Sequence, residues 1–280
     1  MTSDPSREHI IPLSLGRHKD FIINVDRKFN SDVGSKIDGR IAGDFLILFD
    51  RDNASAKGHS RKHPQPIVKS ASLRGGTPAQ VIFSKNGLKI FDLKDKRFLD
   101  KSDSRGNQVQ IKGTIDFDID MMFIAKVALA AGYYSYQENF LNHVDHSEFR
   151  KIMNLDKNNL LVDSKAFAYN RFYKPVNNDA GYHIKKLATE IGCCSSIVML
   201  PSENYFGVGV ALLGRFLGYI SVPSESKYLP NEKEYRYGHC IYLQDGIIYR
   251  YSFDHIRKKL IQIFDDNKRI QADVGCRLGR

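Results

Sequence analysis

Residues 6–16 read Ser6-Arg7-Glu8-His9-Ile10-Ile11-Pro12-Leu13-Ser14-Leu15-Gly16, and this run decides how the N-terminal end of the chain is read. A carboxylate and an imidazole are adjacent, and an apolar pair, a proline and a glycine follow. On a β-strand, neighbouring side chains point to opposite faces, so Glu8 and His9 would serve two sides of one strand. Phe21-Ile22-Ile23 is a second short strand candidate. Asn30 to Ile37 has the length of a short helix, with Gly39 as its stop signal. Residues 6–40 read as a compact unit.

Residue types at this spacing suit one chemistry. Hydrolysis of a phosphodiester needs a water to lose a proton near neutral pH, which a positioned neutral histidine can accept. Charge developing on the leaving oxygen is met by a divalent cation held by oxygen or imidazole ligands with open positions. With one carboxylate supplied by the strand, a further ligand has to come from another element, such as a helix packed beneath.

The Ser6–Gly16 run resembles the HNH family of ββα-metal nucleases, in the branch whose motif reads Ser-x-Glu-His-Ile-Ile-Pro-x-Ser-Leu-Gly. The family continues with a Val-Cys-x-x-Cys-Asn segment and a helix ending near Gly-x-x-Ile-Asp. Here that region is Val25-Asp26-Arg27-Lys28-Phe29-Asn30 followed by Gly34-Ser35-Lys36-Ile37-Asp38. The resemblance covers roughly the first 40 residues. It implies that His9 is the general base, that Glu8 and Asn30 hold one divalent ion such as Mg²⁺, and that Asn24 is the middle asparagine that orients the histidine. It also implies that Arg7, Arg17, His18, Lys19, Lys28 and Lys36 contact the phosphates of DNA. Many members carry a structural zinc on two Cys-x-x-Cys knuckles. This chain has Asp26 and Phe29 at the second knuckle and no cysteine before Ser6, so no structural zinc is expected. Phe29 can fill that space by apolar packing.

Composition sets the frame around the motif. The chain has 280 residues and a net charge of +10. Residues 1–112 carry 21 Lys/Arg against 13 Asp/Glu, a net of +8, so most of the basic excess lies with the Glu-His motif. Lys and Arg bind polyanions by releasing counterions, and a basic end on a soluble protein suggests phosphate-bearing partners. Met121–Tyr134 and Val208–Val222 are the longest apolar stretches. Lys126 and Arg215 interrupt them, and both fall short of a membrane span. The first residues have no secretory signal pattern. Four cysteines, two of them adjacent, make no disulfide framework, and the expected compartment is the cytoplasm.

The rest of the chain completes an α+β expectation: an HNH-like unit at 1–48, a linker and β-hairpin region at 49–112, and a mixed α/β region with antiparallel strands at 113–280. Residues 50–66 read as a polar loop, in which His59 and His63 lack the helical spacing of a metal pair. Gln80–Phe83 and Leu88–Leu93 flank Lys85-Asn86-Gly87, and Tyr237–Leu243 and Ile247–Tyr251 flank Asp245-Gly246. Both are hairpin signals. Asp118–Phe140 has helical spacing, Ser147 can cap a helix over Glu148–Met153, and Asp254 can cap a last helix through Phe264. Ser195–Leu200, Phe206–Leu213 and Leu217–Val222 are apolar runs of strand length. Gly207, Gly209 and Gly214 lie between strand-like runs, which favours close strand packing over a dinucleotide loop. Cys193, Cys194 and Cys240 near His239 read as buried small residues. Tyr133, Tyr134, Tyr136, Tyr235, Tyr237, Tyr249 and Tyr251, with Arg236 and Arg250, suit packing and also base stacking.

The resulting expectation is a metal-dependent DNA endonuclease, with homodimerisation open. Two alternatives stand beside it. One is a non-cleaving, nucleic-acid-binding descendant of the same unit. The other is control by a ligand bound among the C-terminal strands.

Overall fold

The structure is a computed structural model that describes residues 4–16, 18–58, 64–84, 87–155, 164–174, 180–189, 194–229, 232–259 and 261–262. Strands β1 (Pro5–His9) and β2 (Ile22–Asp26) pair antiparallel, with Glu8 opposite Ile23 and His9 opposite Ile22. A single helical turn, α1 (Leu13–Gly16), lies in their connection.

Asp26 ends β2 and caps α2 (Arg27–Val33), its carboxylate accepting from the Phe29 N–H at 3.1 Å. That cap starts the helix three residues ahead of Asn30. Gly39 does not stop it. The chain passes through a π-helical turn at Gly34–Asp38 into α3 (Gly39–Ala42), because Gly39 keeps right-handed dihedrals of −65° and −41°. A glycine stop needs the left-handed conformation.

Helix α4 (Phe45–Asn53) takes up the first residues read as a polar loop, and Asp44 caps it through Leu46 and Ile47. His59 and His63 lie outside the described residues. Strands β3 (Ile67–Leu73), β4 (Pro78–Ser84), β5 (Gly87–Asp92), β6 (Arg97–Phe98) and β7 (Val109–Ile111) form an antiparallel sheet in the order β6-β5-β4-β3-β7. Ser84 pairs with Gly87 across the first expected hairpin, whose Lys85 and Asn86 are outside the described residues. Phe45 and Phe49 of α4 pack edge-on against Phe83 of β4 and fasten this sheet to the N-terminal part.

Helix α5 (Phe117–Tyr136) is capped by Asp116 and is the longest in the described chain. It ends four residues before Phe140. Gln137 turns left-handed at φ 53°, and α6 (Glu138–His143) folds the Phe140 ring back onto Gly132, where a Cβ would lie 2.3 Å from it. Helix α7 (His146–Met153) has Asp145 at its N-cap, and Ser147 lies inside the first turn, donating to the Asp145 carboxylate instead of capping.

The remaining strands are β8 (Phe167–Asn170), β9 (Ser195–Pro201), β10 (Tyr205–Leu212), β11 (Arg215–Pro223), β12 (His239–Gln244) and β13 (Ile247–Ser252), with α8 (Ala180–Thr189) between β8 and β9. They form an antiparallel sheet in the order β13-β12-β9-β10-β11-β8. The Asp245-Gly246 turn has φ values of 51° and 78°, as a two-residue hairpin requires. Residues 253–259 are helical.

The apolar strand runs are continuous because both faces of this sheet are covered. Ile197, Met199, Val208, Val210 and Ile241 face α5, while Val198, Ala211, Cys240 and Tyr242 face α8. Close packing also explains the glycines. A Cβ at Gly207 would lie 1.8 Å from the Tyr219 hydroxyl, and Gly214, at φ 87°, makes the turn between β10 and β11. Cys194 and Cys240 are buried and in no disulfide, and Cys193 lies outside the described residues.

The fold is thus α+β with antiparallel sheets. Its main core runs from Ile10, Ile11, Leu15, Phe21, Ile37 and Ile41, through Phe123 and Val127 of α5, to the six-stranded sheet. None of the described helices is long and apolar enough to cross a membrane.

Candidate active site

The alternation of β1 sends Glu8 inward and leaves Arg7 exposed and His9 half-buried. Glu8 is only 7% exposed. A carboxylate at that depth needs a counter-charge, and α5 supplies it from below. Lys126, 3% exposed, places its ammonium against Glu8 Oε1 and 3.1 Å from Asp38 Oδ2. The same Nζ donates to the His9 carbonyl oxygen at 2.9 Å. One ammonium therefore joins the strand, the π-helical turn and the long helix.

Two carboxylates share that single ammonium. Burial pushes the Asp38 carboxyl up to about 6, Lys126 opposes the rise, and the neighbouring Glu8 adds to it. One oxygen of the cluster is orphaned. Glu8 Oε1 is ion-paired with the ammonium, whereas Asp38 Oδ1 is buried without a hydrogen-bond partner among the described residues.

Asn30 lies in the first turn of α2 and leans on the same strand. Its Nδ2 donates to Ser6 Oγ at 2.6 Å and to the Arg7 carbonyl at 3.0 Å. That commits the amide nitrogen and leaves the side-chain carbonyl oxygen as the atom for any cation. Asn24 is exposed on β2, in register with Arg7. The two knuckle positions have other uses here: Asp26 caps α2, and Phe29 packs against the main core.

The basic residues divide. Arg7, Lys19, Lys28 and Lys36 are exposed. His18 is buried, with Nδ1 accepting from the Asp20 N–H at 3.1 Å, so it is turned away from a surface ligand. Arg17 lies outside the described residues.

Carboxylate oxygens fit a hard cation such as Mg²⁺, which commonly takes one or two protein carboxylates and fills its other positions with water or phosphate. Among the described residues no group of three or more His, Cys, Asp or Glu could hold a metal ion. Any oxygen site here is sparse: Glu8, with Asn30 touching Ser6 and Arg7 of the same strand. Any such ion shares Glu8 with the Lys126 ammonium, which keeps Asp38 and the His9 carbonyl as its other partners.

Asp38 and Lys126 had no role in the sequence expectation beyond the helix end and a break in an apolar stretch. A lysine on an otherwise apolar helical face was the available signal. A second buried ionic cluster was equally silent. Arg171 binds Asp120 with Nε at 2.7 Å and Asp44 with a terminal nitrogen at 3.2 Å, tying α5 to the cap of α4. Burial raises the Asp120 carboxyl to about 6 in spite of Arg171.

No protein-family model, curated protein or solved structure matches the chain.

Proposed function

We propose that this protein is a metal-dependent phosphodiester hydrolase that cuts DNA, using His9 as general base beside a hard-oxygen cation site at Glu8 and Asn30. The observation that carries the reading is the buried Glu8 carboxylate, consecutive with His9 on one strand, with Asn30 braced against that strand.

His9 takes the proton of the attacking water, and its place at the end of β1 is fixed by Lys126, which holds its carbonyl. Glu8 and Asn30 hold the cation. When bound, the cation stabilises negative charge on the scissile phosphate and the leaving oxygen. Lys126 and Asp38 position Glu8 and touch no substrate. Arg7, Lys19, Lys28 and Lys36 bind neighbouring phosphates without reading sequence.

Supercoiled plasmid incubated with Mg²⁺ or Mn²⁺ should be nicked. EDTA should stop the reaction, and His9→Ala should lower the rate by about 10²–10⁴-fold, the usual contribution of a general base. Equal cleavage by His9→Ala and wild type overturns the role of His9.

One observation favours a second reading. The Lys126 ammonium already sits on Glu8, as it would in a descendant that kept nucleic-acid binding and lost hydrolysis. Salt-sensitive DNA binding with no nicking under any metal selects that reading.

A further inference from the structure

At the far end of α5 is a cavity of about 360 Å³, lined in part by Ser135, Tyr136, Glu138, Glu232, His239 and Arg250. Three of these residues bury a polar atom with no hydrogen-bond partner among the described residues: Ser135 Oγ, Tyr136 OH and His239 Nε2. Leaving such groups unsatisfied costs about 1–3 kcal/mol each, so three at one place call for a partner.

The direction of the missing bonds can be read from His239. Arg250 Nε donates to its Nδ1 at 2.9 Å, so Nδ1 carries the lone pair and the ring proton sits on Nε2. Burial, helped by the Arg250 charge, holds this imidazole down at about 3, so it stays neutral. Tyr235 stacks on the ring at 4.2 Å, and the Arg250 guanidinium lies 4.8 Å from the centre of the Tyr235 ring. The result is a fixed N–H donor in a 1% exposed side chain, beside two hydroxyls that can donate or accept.

The charged groups face the opposite requirement. Glu138 and Glu232 are exposed, and these two carboxylates outnumber the one guanidinium. A free anion meets net repulsion there, whereas N–H donors are welcome. A compact, neutral ligand with a carbonyl oxygen and N–H groups satisfies both ends. Aromatic rings are at hand: Tyr136 lines the cavity, and Tyr235 stacks on the lining residue His239.

We propose that this cavity binds a nucleobase that bears a carbonyl group, with the base oxygen accepting from His239 Nε2 and the base N–H groups donating to Glu232. The base can come from a free nucleoside or from a nucleotide turned out of a nucleic-acid strand. The second source deepens the nuclease reading and rests on it; the first does not, so plasmid nicking and nucleoside binding can fail separately.

The test is calorimetric titration of the full chain with guanosine, cytidine, thymidine and adenosine, with sodium acetate and glycine as carboxylate controls. A carbonyl-bearing nucleoside should bind at least about ten-fold more tightly than adenosine, which has no carbonyl, on the scale of one hydrogen bond. His239→Phe should abolish binding, and Glu232→Gln, an exposed change that leaves the core intact, should weaken it several-fold. Competition by a DNA hairpin with one unpaired guanine supports the strand source, and binding without competition supports the free nucleoside. Equal binding of adenosine, a preference for acetate or glycine, no nucleoside binding at millimolar concentration, or unchanged affinity in Glu232→Gln overturns the proposal.

Discussion

Replacing Asp38 by Asn should stabilise this protein increasingly as pH rises. In the folded chain the Asp38 carboxyl sits at about 6, against an ordinary 3.8, because burial outweighs the attraction of Lys126. A group raised in this way contributes stability that is fully present below about 3.8 and lost as pH climbs through about 6. A shift of this size corresponds to about 3 kcal/mol at neutral pH, and integrating between about pH 4.5 and 7.5 leaves a change of about 2 kcal/mol. Asp38→Asn has no such titration, and Lys126 keeps Glu8 as its charged partner. Urea unfolding of both proteins across that pH range, at constant ionic strength, isolates the difference, because other carboxylates titrate alike in each. The variant's stability relative to wild type should rise by about 2 kcal/mol from the acid to the alkaline end. A flat difference, or one that shrinks with pH, would mean that Lys126 outweighs burial and that Asp38 is ionised throughout. The shared-ammonium account would then be wrong.

Three further outcomes follow from the same structure. Arg171→Met strips the charge partner from fully buried Asp120 and should lower stability by about 3–5 kcal/mol at pH 8 and by less at pH 5, where Asp120 can take a proton; urea unfolding at both values checks this. Gly207→Ala drives a methyl into the Tyr219 hydroxyl and should cost about 1–3 kcal/mol, seen as a lower melting temperature; an unchanged melt contradicts the packing of β10. Removing exposed Lys28 and Arg7 together should weaken DNA binding for all sequences alike and reduce the slope of log K against log salt by about 2, measured by fluorescence anisotropy.

The local parts of this fold were legible in the sequence. The β9–β11 runs read as strands because both faces are apolar, and Asp245-Gly246 read as a turn because two consecutive positive φ values favour those residues. Helix α4 was hidden because its apolar residues serve two partners, Ile47 the main core and Phe45 and Phe49 the five-stranded sheet, so no single stripe marks it. The start of α2 was misplaced because a charged stretch, Asp26-Arg27-Lys28, serves as its cap and first turn. At the candidate site, Glu8, His9 and Asn30 belong to one short motif and could be named together. Their support could not: Lys126 is 117 residues from His9 and 88 from Asp38, and no local pattern encodes such a pairing.

The shared core also sets an order of events during synthesis. Residues 5–42 are translated well before the six-stranded sheet, yet Ile10, Ile11 and Leu15 share one core with α5 and with strands as far along as Leu243. At about 5–20 residues per second, the N-terminal hairpin waits about 10–40 s for the last of these partners. Through that interval Glu8 has no settled ammonium and His9 no anchored carbonyl until Lys126 has emerged and α5 has docked. A chain broken off before the six-stranded sheet exposes those isoleucines and is a target for chaperones and proteases. The Glu-His pair is thus assembled only on chains translated through the six-stranded sheet.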